Sequence, residues 1–298
     1  MKPRLLRQLL LATLALGVGL ETGISIQALT LLNSEPTVGT VVAWGQNAYG
    51  QTNVPPGLSN VVAIDAGYYR AIALQENGTV VTWGDSGGAG VPPALSGVKA
   101  VSSGIGHSIA LKSDGTIEAW GNNEFGQSSG HTGLRNIAAV DAGYFFNVAV
   151  KQDGTVVAWG RNSFGEVSGS AGLSGVVAVS AGEHHALALK QDGTVVAWGR
   201  TAEGQLNIPP ALSDVIAISA GGLHSLALKR DGTVVAWGLN NEGQVNVPSR
   251  SLSDLRVRTK CDAPRFDLAH SDFRRRCFDG PKQSFLIKNS LSPTGCSS

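Results

Sequence analysis

The chain has 298 residues, a formal net charge of +1, only 15% charged residues and 39 glycines. Sparse charge with abundant glycine is typical of many short strands joined by tight turns. Between residues 35 and 249 acidic residues outnumber basic ones by 16 to 10. This balance argues against nucleic acid as a partner, because nucleic acid is bound by basic surfaces.

Residues 1–28 are predicted to be a signal peptide. Three basic residues, Lys2, Arg4 and Arg7, precede an apolar run over residues 9–20. The run is shorter than the roughly 20 residues of a membrane-spanning helix. Cleavage after Ala28 releases a secreted or periplasmic protein without membrane contact, whereas an uncleaved signal anchors it to the membrane. Residues 29–39 form a linker.

Residues 40–254 are built from one repeated unit, marked by a Trp-Gly pair. Successive pairs are separated by 39, 37, 39, 39 and 39 residues. A period of this length predicts a propeller, a solenoid or another stacked array. The repeat tryptophans are Trp44, Trp83, Trp120, Trp159, Trp198 and Trp237.

Each full unit predicts three strong strands and a weaker fourth, and residues 176–199 illustrate the three strong ones. Residues 176–179 form the first strand, 185–190 the second and 194–198 the third, with a hairpin turn at Asp192-Gly193. The second strand is apolar on both faces, so its sheet must be covered on both sides. This favours an all-β propeller over a flat solenoid. Five full repeats and partial units leave it open whether the ring closes.

Two recurring segments resemble a known family. The W-G-x-N-x-x-G-Q segment at residues 44–51 and the recurring A-G-x-x-H-x-x-A-L segment resemble regulator of chromosome condensation repeats. More narrowly, V-V-A-W-G-x-N-x-Y-G-Q-T-x-V-P at residues 41–55 is similar to the secreted β-lactamase inhibitory propeller of that family. The resemblance implies a non-enzymatic, protein-binding propeller whose partner is a secreted serine β-lactamase or a penicillin-binding protein. Regulation of a GTPase or of chromatin, as in the broader family, is an alternative, and a nonfunctional truncated remnant is another.

The candidate binding residues are the two variable positions that follow each Ala-Gly. The repeat holds its frame constant and varies this loop, a pattern typical of a binding face. The resemblance implies partner contacts for Tyr69, Phe145 and His184. Tyr68, Tyr144, Glu183 and Leu223 are further candidates. Alternatively, all of these side chains only pack the turns between repeats. A second aromatic set, Tyr49, Phe125 and Phe164, recurs in register and is predicted to serve structural packing.

The sequence predicts no catalytic residues, no metal and no cofactor. It contains no recognised nucleophile, zinc or phosphate motif. His107, His185 and His224 share one repeat position, occupied elsewhere by Arg70 and Phe146, and are predicted to hydrogen-bond nearby backbone. The recurrent Asp-Gly pairs are predicted to be turns and not calcium loops, because each supplies a single carboxylate.

Residues 255–298 depart from the repeat, and two hypotheses remain open for them. This basic tail contains all three cysteines of the chain. Either it is a degenerate half-blade that closes the ring against residues 40–45, or the reading frame has been lost and the tail is translated noncoding sequence.

Overall fold

The computed structural model describes residues 40–85, 90–247 and 284–288, and nearly all of the regular structure in them is β-strand. The signal peptide, the linker and most of the tail predicted above lie outside the described residues. Within these ranges, no helix is long and apolar enough to span a membrane. The helical structure described is a single 3₁₀ turn, Ser168–Ser170.

The five full repeats form five antiparallel three-stranded sheets, so the predicted all-β architecture of propeller-like blades is confirmed. The weaker fourth strand predicted for each unit is wrong for the described residues, where each of these sheets has three strands. The strands are, sheet by sheet, β2 (Val61–Ala66), β3 (Arg70–Gln75) and β4 (Val80–Gly84); β5 (Val98–Ser103), β6 (His107–Lys112) and β7 (Ile117–Gly121); β8 (Ile137–Ala142), β9 (Phe146–Lys151) and β10 (Val156–Gly160); β11 (Val176–Ala181), β12 (His185–Lys190) and β13 (Val195–Gly199); β14 (Val215–Ala220), β15 (His224–Lys229) and β16 (Val234–Gly238).

Each sheet packs face to face against its neighbours in sequence. In β12, Ala186 and Ala188 belong to an apolar cluster shared with the third sheet. Leu187 and Leu189 of the same strand join a cluster shared with the fifth sheet. The first strands of successive sheets contact one another, so they form the inner edge of the array and the third strands lie outside. The strand that is apolar on both faces is therefore covered on both faces, as the sequence predicted.

In four of the five full sheets a tryptophan joins the sheet to the loop that precedes it, whereas the indole nitrogen of Trp120 has no hydrogen-bond partner among the described residues. The indole N–H of Trp83 donates to the backbone oxygen of Gln51 at 2.9 Å, and that of Trp198 donates to the backbone oxygen of Glu166 at 2.8 Å. Donor and acceptor are 32 residues apart in both cases. The tryptophans of the five full sheets are only 5–8% exposed, whereas Trp44 is 46% exposed. This hydrogen bond connects consecutive repeats in addition to the apolar contacts between their sheets.

A row of glycines lets the inner strands approach closely. A Cβ on Gly67 would lie 2.2 Å from the carbonyl oxygen of Gly104, and one on Gly104 would lie 2.3 Å from that of Gly143. The pattern continues through Gly182 to Gly221. Real Cβ atoms do not approach an oxygen so closely, so the Ala-Gly of the repeat is a requirement of sheet-to-sheet packing.

Buried polar groups also join the inner strands of the first three sheets. The Ser102 hydroxyl oxygen lies 2.8 Å from a carboxylate oxygen of Asp65 and 2.8 Å from one of Asp141. The same oxygen accepts the Ala142 N–H at 3.1 Å. A hydroxyl has one proton and can donate to one carboxylate only, so the second short contact requires a proton on a carboxyl group. Burial, reinforced by the charge of Asp65, raises the pKa of Asp141 to about 6, so Asp141 is the carboxyl that takes up this proton in mildly acidic solution.

A sixth, two-stranded sheet pairs the start of the described chain with a segment of the tail. Strand β1 (Thr40–Trp44) runs antiparallel to β17 (Ser284–Lys288), with Trp44 opposite Ser284. The register matches that of the fifth sheet, where Trp237 lies opposite Ser225. Strand β17 thus pairs with β1 in the same way as the second strand of a full sheet pairs with its third strand. The closing half-blade hypothesis places the tail against this strand, but the repeat-like residues on which it rests, Leu255, Val257, Phe266 and Leu268, lie outside the described residues, and the choice between it and a lost frame remains a prediction.

Substituting Gly143 with alanine is expected to lower the free energy of unfolding by about 2 kcal/mol or more, as overpacking of a rigid interior does. The new Cβ would lie 2.3 Å from the Phe146 ring and 2.6 Å from the Gly182 oxygen. Urea unfolding measures the change. Gly90→Ala is the matched control, because no atom of the described residues lies within 4 Å of its added Cβ. Equal stabilities of the two variants would contradict the packing argument.

Substituting Asp141 with asparagine is expected to remove a pH dependence of stability. A carboxyl whose pKa rises from 3.8 to about 6 on folding stabilises the protein fully below about pH 4 and loses that effect as the pH rises through 6. An asparagine amide can donate to Ser102 permanently, so the variant should match the wild type near pH 4 and exceed it by up to about 3 kcal/mol near pH 7.

Urea unfolding over this pH range measures the difference. Asp153→Asn is the control, because hydrogen bonds from Thr155 lower the pKa of that exposed carboxylate and its effect on stability has the opposite sign. An Asp141→Asn variant that is less stable than the wild type at neutral pH would show that the pair carries no shared proton.

Truncation after Gln283 is expected to lower the thermal midpoint and promote self-association, because it removes the partner of β1 and exposes a sheet edge. Truncation after Asn289 retains β17 and is the matched control. Thermal unfolding and size-exclusion chromatography distinguish the two proteins. Identical behaviour would favour a translated noncoding tail.

Candidate functional site

The loops that join the first and second strands carry the candidate binding residues and lie side by side. The Ile105 N–H donates to the carbonyl oxygen of Tyr144 at 3.1 Å, and the Glu183 N–H donates to that of Gly222 at 3.2 Å. These bonds cross from one sheet to the next. The variable positions therefore lie on a continuous rim, at the end of the sheets opposite the Asp-Gly hairpins.

A second group of loops, each following a Trp-Gly pair, reaches the same rim. These loops present Tyr49, Phe125 and Phe164, whose exposed fractions are 51%, 40% and 41%. A side chain two residues later fixes each backbone: Gln51 accepts the Tyr49 N–H and Gln127 accepts the Phe125 N–H, both at 2.8 Å. The exposed rings thus stand on ordered turns.

The two groups of loops meet in aromatic pairs. Each pair joins a ring in the Trp-Gly loop of one repeat to a ring in the Ala-Gly loop of the next repeat. In the first pair, the ring centroids of Tyr49 and Tyr69 are 4.4 Å apart. The centroid distance is 5.2 Å both for Phe125 with Phe145 and for Phe164 with His184. Such separations are typical of favourable ring contacts.

Tyrosines link these pairs into one network. Tyr68 contacts Tyr69 at 4.8 Å and reaches Tyr144 of the third sheet at 5.4 Å. Tyr144 in turn contacts Phe145 at 4.7 Å and His184 at 5.3 Å. We call the connected set the aromatic face. It comprises Tyr49, Tyr68, Tyr69, Phe125, Tyr144, Phe145, Phe164 and His184.

Two arginines border the aromatic face. The Arg161 guanidinium lies 5.8 Å from the centre of the Phe125 ring and 5.4 Å from that of Phe164. Arg200 lies 5.5 Å from the Phe164 ring and also pairs with Glu203. Stacking of a cation on a ring restricts the orientation of both side chains. The border is therefore ordered before any partner arrives.

Tyr68 and Tyr144 remain neutral hydroxyl donors. Burial, with the nearby Glu183 carboxylate, raises the pKa of Tyr68 well above its ordinary value. The same two causes raise the pKa of Tyr144. Uncharged phenols combine a large apolar surface with a hydrogen-bonding tip, which suits binding and offers no nucleophile at neutral pH.

A buried carboxylate stands behind His184. Glu166 has no exposed side-chain surface, and its Oε1 lies 3.7 Å from Nδ1 of His184. Its other oxygen, Oε2, accepts the Phe164 N–H at 2.7 Å. Burial alone pushes the pKa of Glu166 up, but interactions with His184 and with that N–H outweigh it, and the pKa lies below the ordinary value. Glu166 therefore carries a negative charge beneath the aromatic face.

Two of the repeated histidines, His107 and His185, lie beneath the rim and hydrogen-bond across to the next sheet. Nε2 of His107 lies 2.9 Å from the Asn147 side-chain oxygen, and Nε2 of His185 lies 3.0 Å from the Ser225 hydroxyl. The sequence predicted backbone partners, and one such contact is present, from Nδ1 of His107 to the Ile105 oxygen at 3.4 Å. Among the described residues, no three His, Cys, Asp or Glu side chains are grouped as metal ligands.

The structure brings most of the predicted site residues together but leaves one apart. Tyr68, Tyr69, Tyr144, Phe145 and His184 belong to the face, and Glu183 lies close enough to the two inner tyrosines to raise their pKa values. Leu223 is half-buried and belongs to no ring contact. The residue 20 positions before it is Glu203, where the aromatic repeats carry a ring.

Sequence analysis assigned Tyr49, Phe125 and Phe164 to structural packing, but they are exposed and complete the aromatic pairs. A signal for them was present in the chain. Each lies 20 residues before Tyr69, Phe145 or His184. In the repeats, the earlier of two positions 20 residues apart carries a ring only where the later position also carries one. Residues that served packing alone would carry a ring in every repeat.

Comparisons with known proteins agree with this architecture. The model of the regulator of chromosome condensation (RCC1) repeat matches residues 61–88, 98–127, 137–166, 176–205 and 215–244. None of the curated proteins matches the sequence.

Among solved structures, the chain is similar to the ectodomain of the Physcomitrella patens receptor kinase CR4, with 22% identity over 68% of this chain and 63% of that one and a TM-score of 0.55. The CRINKLY WD40 ectodomain of the Arabidopsis thaliana receptor kinase ACR4 gives 22% identity, 66% and 71% coverage and a TM-score of 0.51. Prp20p of Saccharomyces cerevisiae gives 18% identity over 69% of this chain and 82% of that one, with a TM-score of 0.45.

The chain thus spans less than two thirds of the CR4 ectodomain, and identities this low establish the shared fold alone. The five matched segments coincide with the five three-stranded sheets and their following loops. On this evidence the chain belongs to the regulator of chromosome condensation repeat family.

Proposed function

We propose that this protein is a secreted protein-binding module that uses its aromatic face to seat a partner, and that the partner is a secreted serine β-lactamase or a penicillin-binding protein. The observation that carries the proposal is the continuous network of eight rings on one rim of a rigid scaffold. Large aromatic side chains dominate the binding energy of protein interfaces.

Preorganisation supports binding as the role of this face. The rings are held by loops with side-chain caps, by the arginine stacking and by one another. Association with a partner therefore requires little ordering of side chains, which is a main cost of forming an interface. An ordered aromatic surface with three exposed rings, Tyr49, Phe125 and Phe164, is also the composition expected for recognition of a folded protein.

The choice of partner class rests on the likeness of residues 41–55 to the inhibitory branch of the family, and export rests on the predicted signal peptide. Regulation of a GTPase or of chromatin, known for the broader family, is the alternative function. It requires a cytosolic or nuclear location and a partner other than a cell-wall enzyme. A nonfunctional remnant is the third hypothesis, and it predicts a protein that binds none of these partners.

The test is a titration of the mature protein, beginning near Leu29, against a panel of secreted serine β-lactamases and penicillin-binding proteins. Hydrolysis of a chromogenic substrate and calorimetry would measure inhibition and affinity. Replacing Tyr69, Phe145 and His184 together with serine is expected to weaken binding by at least about 100-fold, because truncation of buried interface aromatics costs several kcal/mol in total.

The matched control replaces Glu76, Gln152 and Gln191 with serine. These exposed residues lie in the same three sheets, at the opposite, hairpin end. The control should bind like the wild type. A second variant, with serine at Tyr49, Phe125 and Phe164, should lose affinity to a similar degree. Equal binding by wild type and both aromatic variants would refute the aromatic face as the binding site.

A further inference from the structure

We propose that Glu166 is a positioning residue that holds the neutral His184 imidazole with its proton on Nδ1, so that a bare Nε2 is offered to the partner as a hydrogen-bond acceptor. The consequence for binding rests on the proposed function. The state of the imidazole is a property of the free protein and is tested without any partner.

The first observation is that Glu166 replaces a repeated glutamine. Four other repeat loops carry Gln51, Gln127, Gln205 and Gln244 at this position, and the side-chain oxygen of each accepts the N–H of the residue two positions earlier. The carbonyl side of these amides is thus committed to the loop. The remaining half of the side chain, an NH₂ group, donates where it has a partner, as Gln127 does to Asn122 at 2.6 Å.

In the exceptional repeat, an oxygen stands where the others have the NH₂ group. Oε2 of Glu166 holds the Phe164 N–H, and Oε1 faces His184 Nδ1 at 3.7 Å. Within the described residues, neither Oε1 nor Nδ1 has a hydrogen-bond partner, and both atoms are buried. A carboxylate can only accept hydrogen bonds, so a bare Nδ1 would set two lone pairs against each other. A proton on Nδ1 removes that repulsion and gives Oε1 a donor.

The surroundings of His184 fix the direction of the ring. Tyr144 and Phe164 pack against it with centroids 5.3 Å and 5.2 Å away. The side chain retains 14% exposure although Nδ1 is buried, so the edge that carries Nε2 is the accessible one. The other charged groups nearby are Glu183, next in the chain, and Arg161 and Arg200, which stack on Phe164.

This arrangement selects partners by hydrogen-bond polarity. In a neutral imidazole, the nitrogen that lacks the proton accepts a hydrogen bond, and the bond made by the other nitrogen decides which one that is. A partner must therefore place an N–H or O–H group over His184, among the aromatic rings. An acceptor placed there would be left unsatisfied.

The substitution Glu166→Gln reverses the polarity with a change of a single atom. The Phe164 N–H keeps the carbonyl oxygen of the new amide, as in the four natural glutamine loops, and the NH₂ group then faces Nδ1. Nδ1 must accept this hydrogen bond, which moves the imidazole proton to Nε2. Glu183→Gln is the matched control, because it removes the same charge beside the same histidine without touching Nδ1.

Nitrogen-15 NMR of the imidazole groups at about pH 9, where an ordinary histidine is neutral, reads the position of the proton directly. A His184→Gln variant assigns the resonances. The wild type and Glu183→Gln should carry the proton on Nδ1, and Glu166→Gln should carry it on Nε2. A wild-type ring protonated on Nε2 or on both nitrogens, or the same pattern in the wild type and Glu166→Gln, would overturn the proposal, as would a switch caused by Glu183→Gln.

If one of the tested enzymes binds, the substitution Glu166→Gln should weaken the affinity of this protein for that enzyme about tenfold or more. The substitution Glu183→Gln should leave the imidazole proton of His184 on Nδ1. Unchanged affinity for Glu166→Gln would overturn the role of Nε2 in recognition. Failure of every enzyme in the panel, together with the expected NMR pattern, would count against the proposed function and leave the role of Glu166 standing.

Discussion

Each of the five three-stranded sheets is apolar on both faces, so each face needs a covering layer. The fourth sheet meets this condition: Leu187 and Leu189 are 0% and 4% exposed against the fifth. The corresponding Leu226 and Leu228 of the fifth sheet are half-buried, because no complete sheet covers them within the described residues. The stacking, the glycine row and the tryptophan bonds are all ways of meeting this one requirement. They make the spacing of the loops a fixed quantity, set by the sheets and independent of what the loops carry.

A scaffold fixed in this way permits unusual freedom in its rim. The inner glycines and the buried Asp65, Ser102 and Asp141 constrain the first strands, while the two positions after each Ala-Gly point away from those contacts. Large rings, small residues and a carboxylate all occur there without a change in the strands beside them. The aromatic face therefore depends on which residues occupy these loop positions, whereas its rigidity comes from the sheets that carry the loops.

Much of the fold follows from local pattern. The three strands of each sheet, the Asp-Gly hairpins and the need for cover on both faces can all be predicted from residues 176–199 alone. The shared proton of Asp141 cannot, because it depends on a hydroxyl in a neighbouring sheet 39 residues away in the chain. Phe164 shows the same limit: its recurrence in register suggested packing, and its exposure became evident only when the Trp-Gly loop was placed beside His184. Glu166 differs from the repeated glutamine by a single atom, and the sequence does not reveal that this atom faces the His184 ring.

The aromatic pairs have a consequence for how such a surface is inherited. Tyr49 with Tyr69, and Phe164 with His184, are each divided between two consecutive repeats. The unit of ring contact is therefore offset from the unit of folding: it runs from a Trp-Gly loop to the next Ala-Gly loop, across the connection between two sheets. Duplication or exchange of a whole sheet divides a pair at each end and alters two contacts at once. Transfer of the 20-residue stretch from one ring to its partner moves a complete contact and leaves the neighbouring contacts intact.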